Sequence, residues 1–219
     1  ATLDIRRITR ELSELQAKVA SGREAKDLQG FGGASSRLLN AQSMRSNADA
    51  RASVINQLQA RFGVQGAALG QVSEAAGLLA QSIREAISAN DGRGIGTELD
   101  LSFSSVVSAL SESWNGQPLF AGERQGQGPI KISTLDQLQA ATGPDDIFDE
   151  AERHQVIDLG AGDPIILSAK ASELSDGLFD TLSDLADLLD AAGGQIGQPI
   201  SGADRAALQQ LADRLDAES

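Results

Sequence analysis

Apolar residues recur at alternating spacings of three and four from the start of the chain. Ile5, Ile8, Leu12, Leu15 and Val19 form one such seam and Gly22 ends it, the pattern of a helix that packs along a single stripe. Residues 22–33 carry Gly22, Gly30, Gly32 and Gly33 and no apolar period, so they read as an irregular connector. From Ala34 to Ala89 there is no proline, and the seam continues through Ile55, Leu58, Phe62, Gln65, Leu69, Val72, Ala76, Leu79, Ile83 and Ala86. The spacing predicts one continuous helix, about 84 Å long at 1.5 Å per residue. Periodic helices of that length point to coiled-coil or fibrous packing.

A second stripe lies one position over. Gly63, Gly66, Gly70, Ser73, Gly77 and Ala80 follow the same spacing. A glycine inside a helix costs about 1 kcal/mol relative to alanine, so four of them call for a packing reason. Small residues let another backbone approach closely. Two occupants fit equally: a neighbouring subunit, or a bulky helix of the same chain.

The segment NDGRGIG at 90–96 reads as a glycine turn. A shorter helix is expected from Thr97 to Asn115, with Leu99, Phe103, Val106, Leu110 and Trp114 on one face. Short connections between long helices imply antiparallel neighbours. Four of the five prolines then fall within residues 116–170. Short strands are expected at 129–133, 154–159 and 165–169, the last two joined as a hairpin through Gly160–Pro164, with a short helix at 134–140. Helix returns at 171–192, with Leu174, Leu178, Leu182, Leu185 and Leu189 inward and Asp176, Asp180, Asp184 and Asp187 outward. Ser201 and Asp204 form a capping signal, and Leu208, Leu211 and Leu215 extend the last helix.

The expected fold is therefore mainly α: an elongated antiparallel helical bundle or coiled coil with a small α+β insertion. Residues 1–33 hold the end of an N-terminal heptad helix and a spoke. Residues 34–116 and 171–219 build the elongated domain, and residues 117–170 build the insertion. The missing initiator Met and a last helix that stops in mid-pattern at Ser219 are what an excised segment would show.

Composition narrows the chemistry. Of 219 residues, 41% are hydrophobic but only 3% aromatic, with one Trp and no Tyr, so the core is expected to be aliphatic and rich in alanine. There is no Cys and a single His, His154. Disulfides, thiolate sites and multi-His metal sites drop out together. Residues 1–64 carry ten basic and six acidic side chains, residues 65–130 three and seven, and residues 131–219 five and 18. A mildly basic head thus precedes a strongly acidic tail, and the whole chain stands at −13. That charge disfavours nucleic acid and anionic membranes as partners, while head-to-tail pairing would be aligned by it. No run approaches the ~20 apolar residues of a membrane span, and the N-terminus lacks the apolar region of a secretory signal peptide.

No catalytic constellation emerges. His154 has no nearby glycine-flanked Ser, and Gly92-Arg-Gly-Ile-Gly lacks the spacing of a dinucleotide loop. The acidic group Asp145, Asp146, Asp149, Glu150 and Glu152 lacks calcium-loop spacing and reads as solvated. Arg37, Arg45, Arg51 and Arg61 lie along the long helix without aromatic partners, suited to acidic protein surface. No enzyme, metal site or cofactor is expected.

In this order the elements resemble the flagellin superfamily: a heptad helix, a Ser21-Gly22 turn, a spoke, one very long helix, and a second helix ending at Asn-Gly. Leu78-Leu79-Ala80-Gln81-Ser82-Ile83-Arg84-Glu85-Ala86 is similar to that superfamily's LLQRxREL stretch, and Gly63 and Gly77 sit where its members carry glycines. Asn115-Gly116-Gln117-Pro118-Leu119-Phe120-Ala121-Gly122 resembles the NGxxLFAG signature of its hook-associated protein 3 family. The match covers residues 1–122, and 171–219 by pattern only. Lys26-Asp27-Leu28-Gln29-Gly30-Phe31-Gly32 departs from the usual Asp-Asp-Pro/Ala spoke.

The resemblance implies an extracellular structural building block of the flagellum at the hook–filament junction. It implies export through the flagellar type III apparatus without a cleaved signal, and terminal helices that join an inner coiled-coil tube. Implied partners are other copies in a ring, a neighbouring hook-associated protein, flagellin, and an export chaperone acting on a C-terminal region beyond Ser219. The isolated chain is then expected to be largely monomeric in dilute solution, with residues 1–20 frayed or borrowing a neighbour. A filament flagellin is the nearest alternative. A surface adhesin using the insertion is a more distant one, disfavoured by the lack of Tyr and the single Trp.

Overall fold

The computed structural model describes residues 11–13, 16, 35–158, 164–167 and 169–218. The Ser21-Gly22 turn, the connector 22–33 and the hairpin loop at 159–163 lie outside the described residues, as does the N-terminal seam apart from Leu12.

The proline-free stretch is one helix, α1 (Ser35–Ala89). Its end is built by the residues that follow. Asn90 takes a positive φ of 55°. Its N–H donates to the Ile87 carbonyl at 3.2 Å, and that of Asp91 to the Ala86 carbonyl at 3.0 Å. This is the paired bonding that closes a helix C-terminus. Arg205 adds a long-range cap, donating to the Ile87 carbonyl at 3.0 Å and to Asn90 Oδ1 at 2.7 Å.

The second helix, α2 (Ile95–Leu110), stops five residues before the expected end. The chain instead turns into a hairpin of β1 (Ser113–Trp114) and β2 (Gln117–Pro118), with Trp114 opposite Gln117. Asn115 and Gly116 between them have φ of 50° and 76°, the positive pair that a two-residue hairpin turn demands. Trp114 therefore leaves the helical face assigned to it, because the turn preference of Asn-Gly outweighs continuation of the apolar period.

The middle segment is sparser in strand than expected. Residues 129–133 contribute one bridge, Ile130 to Phe148. The later hairpin does form, as β3 (Val156–Ile157) antiparallel to β4 (Ile165–Ile166). Helix α3 (Leu135–Ala140) is capped by Thr134, whose hydroxyl accepts from the Gln137 N–H at 3.3 Å. A single helical turn, α4 (Pro144–Ile147), was not expected from the pattern. Helix α5 (Ala171–Ala191) and helix α6 (Gly202–Ala217) complete the fold. At the start of α6 the Ser201 hydroxyl accepts from the Asp204 N–H at 3.1 Å. Among the described residues the class is thus mainly α with two small antiparallel sheets.

The chain divides inside α1, at Asn56–Gln57, into two units. In the unit from Gln57 to Ser219, α5 is central and packs on α2, α3 and α6. Leu178, Phe179, Leu182 and Leu185 are fully buried along it, while Asp176, Asp180, Asp184 and Asp187 face solvent. The Phe179 ring meets Phe103 and Phe148 edge-on, at centroid distances of 6.3 and 5.6 Å, a favoured aromatic geometry. Elsewhere small aliphatic residues such as Ala76, Ala80, Ala109 and Ala212 fill the interior, as so few aromatics require.

Candidate functional site

Along α1 the buried stripe runs through Arg61, Gln65, Ala68, Val72, Ala75, Ala76, Leu79, Ala80 and Ile83. Toward its N-terminal end it is therefore displaced by one residue from the seam read in the sequence. Val72, Leu79 and Ile83 lie in the core and Leu69 packs against it. Ile55 and Phe62 are exposed, at 43% and 40%, and Leu58 is half-buried.

Arg61 explains the displacement. Read from the sequence as a surface cation, it is 7% exposed and donates to Gln155 Oε1 at 2.7 Å, while its Nε has no partner. Burial holds its pKa below the ordinary value, because desolvation disfavours the charged form. Its partner lies 94 residues away, so nothing in the local pattern could have placed it.

The glycine face is open. Gly63, Gly66 and Gly70 are exposed, and a Cβ added at any of them would meet nothing within 4 Å. Among the described residues no helix of the same chain occupies that face there. Gly77, further along, is half-buried.

The segment Asn115–Gly122 is a structural hub. Leu119, Phe120 and Ala121 are fully buried. The Phe120 carbonyl accepts from the Ala171 N–H at 2.9 Å, which ties the segment to the start of α5. The Ala121 carbonyl accepts from the Ala151 N–H at 3.0 Å, and the Glu123 N–H donates to the Arg153 carbonyl at 3.0 Å. Gly122 has φ of +63°, and a Cβ there would stand 2.5 Å from the Arg153 carbonyl oxygen. Both the left-handed backbone and the close approach demand glycine.

The titratable groups stabilise joints between elements. Glu150 accepts from the backbone N–H of Ser172 at 3.1 Å and from its hydroxyl, capping the first turn of α5. Lys170 lies 3.8 Å from Glu150 and 3.2 Å from Glu173, and His154 lies 3.4 Å from Glu173. For Glu173, burial acts to raise the pKa, but hydrogen bonds from Lys170 and the His154 and Lys170 charges lower it overall. Arg93 donates to both carboxylate oxygens of Asp91, at 2.8 and 2.5 Å. The side-chain hydrogen bond from Arg93 is the main cause that brings the Asp91 pKa down to about 2. His154 is thus one member of a surface ion group. Among the described residues no cluster of His, Asp and Glu could hold a metal ion, and no helix is long and apolar enough to cross a membrane.

No family model matches the chain, and no curated protein matches it. Solved structures are similar to it, and two of them are flagellar proteins. FlgL from Bacillus cereus is 16% identical, with a TM-score of 0.63 over 84% of this chain and 82% of that one. A putative flagellar hook-associated protein from Vibrio parahaemolyticus is 20% identical, with a TM-score of 0.63 over 89% of this chain and 84% of that one. Across more than four-fifths of its length, the chain shares its fold with these two proteins.

Proposed function

We propose that this chain is a structural subunit of the bacterial flagellum, of the hook-associated kind, and that it forms the junction between hook and filament. The likeness of fold to FlgL and to a putative flagellar hook-associated protein, over most of both chains, carries the reading. The segment Asn115–Gly122 adds to it, since Leu119, Phe120 and Ala121, which fall within the stretch that resembles a hook-associated signature, are buried at a joint of the fold.

On this reading the mechanism is packing, not catalysis. Helices of an elongated bundle hold each subunit together, and exposed helical faces join copies into a ring. Ile55, Leu58 and Phe62, with Gly63, Gly66 and Gly70, are among the α1 residues available for contact with a neighbour. Hook-side and filament-side partners are another hook-associated protein and flagellin. The subunit leaves the cell by the flagellar export route, escorted by a chaperone.

Deletion of the gene tests the reading, with electron microscopy of the cells and assay of flagellin in the medium. Bare hooks with flagellin released are the expected result. Persisting filaments, shortened or altered in composition, would make the chain a filament flagellin. Normal flagella would remove it from the organelle's structure altogether.

A further inference from the structure

Residues 57–67 of α1 are held differently from the residues that follow them. Apolar burial along the helix begins at Ala68 and runs on to Ile83. Before Ala68, the buried residues among those described in α1 are Arg61 and Gln65, both polar. Val64 is the one apolar residue of the stretch that packs against the core, and it is half-buried. Gly63 and Gly66 lie between these anchors, exposed, with open space where a Cβ would stand. Glycine weakens a helix interior relative to alanine, and helices in proteins draw most of their stability from a packed apolar face. This stretch has little of either support.

Its main anchor is also a costly one. Arg61 is buried, its long-range hydrogen bond goes to Gln155 Oε1 at 2.7 Å, and its buried Nε has no partner among the described residues. A guanidinium taken out of water loses hydration that a neutral amide repays only in part. That cost is the one that depresses its pKa. Gln155, in turn, is carried by a small element. Its carbonyl accepts from the Leu167 N–H at 2.7 Å, beside the hairpin of β3 and β4. Those strands have two residues each, and Val156, Ile165 and Ile166 on them are exposed. A two-stranded hairpin is marginal by itself, so both halves of the contact are weakly held.

We infer that residues 57–67 of α1 open locally while the core from Ala68 onward stays folded, with Arg61 passing into water, and that the bond from Arg61 to Gln155 is the clasp by which the middle segment holds the stretch closed. Local opening of this kind is drawn from the parts of a fold with the fewest buried apolar contacts. The device acts within one chain and needs no neighbour. Arg61 has two opposed effects: its buried charge favours the open state, and its hydrogen bond favours the closed one.

Hydrogen exchange read by mass spectrometry on the full chain is the test, with residues 72–86 as the internal control. Protection over 57–67 is expected to be at least about 100-fold lower than over 72–86. Arg61→Met removes the buried charge and keeps an apolar stem, and should raise protection over 57–67 by about tenfold. Gln155→Leu leaves that charge with no acceptor, and should lower protection by about tenfold. Combined with Arg61→Met, Gln155→Leu should have no further effect, because the two changes act through one bond. Gly63→Ala with Gly66→Ala should raise protection, since nothing opposes the added methyls. Equal protection over 57–67 and 72–86 in the wild type would overturn the inference. A loss of protection in Arg61→Met would also overturn it, by making Arg61 a plain stabilising anchor. So would a Gln155→Leu effect that is absent, or that is unchanged in the double variant.

Discussion

Phe120→Ala is expected to cost about 3–5 kcal/mol of stability. The ring is among the largest fully buried side chains of the fold. Its removal loses transfer free energy and leaves a cavity that neighbours only partly fill. The position also cannot relax freely, because the Phe120 carbonyl accepts from the Ala171 N–H and fixes the backbone against the first turn of α5. For a unit of this size the melting temperature should fall on the order of 10 °C. Phe120→Leu, which retains most of the volume, should cost under about 1.5 kcal/mol. Urea unfolding monitored by circular dichroism measures both. A loss below 1 kcal/mol for the alanine variant would mean that this segment is not the joint described above.

The second large effect is expected at Gly122, and a neighbouring glycine supplies the comparison. Gly116 also has a positive φ, of +76°, but a Cβ there would meet nothing within 4 Å. Gly116→Ala should therefore show only the cost of a left-handed non-glycine residue, about 1 kcal/mol. Gly122→Ala carries that cost and also sets a Cβ 2.5 Å from the Arg153 carbonyl oxygen. A backbone atom cannot swing aside as the end of a side chain can. Relief requires the 151–153 segment to move, which strains the bonds from Glu123 to Arg153 and from Ala151 to Ala121. A loss of about 3 kcal/mol is expected, at the upper end of what strained backbone costs. Equal losses for the two variants in parallel denaturant titrations would count against the close approach.

The sequence revealed most where one physical rule acted alone. The long helix was legible from 56 residues without proline, and its end from Asn90-Asp91-Gly92, residues that favour leaving a helix. The inward leucines and outward aspartates of α5 were legible because period and polarity agree at every turn. Where two rules competed, the reading erred. Apolar spacing carried the second helix on to Trp114, while Asn115-Gly116 had already specified a hairpin. The apolar period puts the buried stripe of α1 at Phe62 and not at Arg61, since hydropathy places an arginine outside. Only a partner from the distant 153–157 segment reverses that preference.

The candidate site was legible in part for a related reason. The stripe of Gly63, Gly66 and Gly70 announces a close neighbour, but a glycine carries no chemistry that names one. A groove of about 280 Å³ between α1 and α2, lined by Leu78 and Leu101, was not legible at all. Leu78 reads as one apolar residue of an apolar run, and only the packing of α2 against α1 turns it into the side of a groove.

The central claim is a position in the organelle: a junction, and not the filament. Immunogold electron microscopy of intact flagella, with antibody raised against this chain, tests it most directly. The account predicts label confined to one band where hook meets filament. Label along the length of the filament, or none on the flagellum, would contradict it.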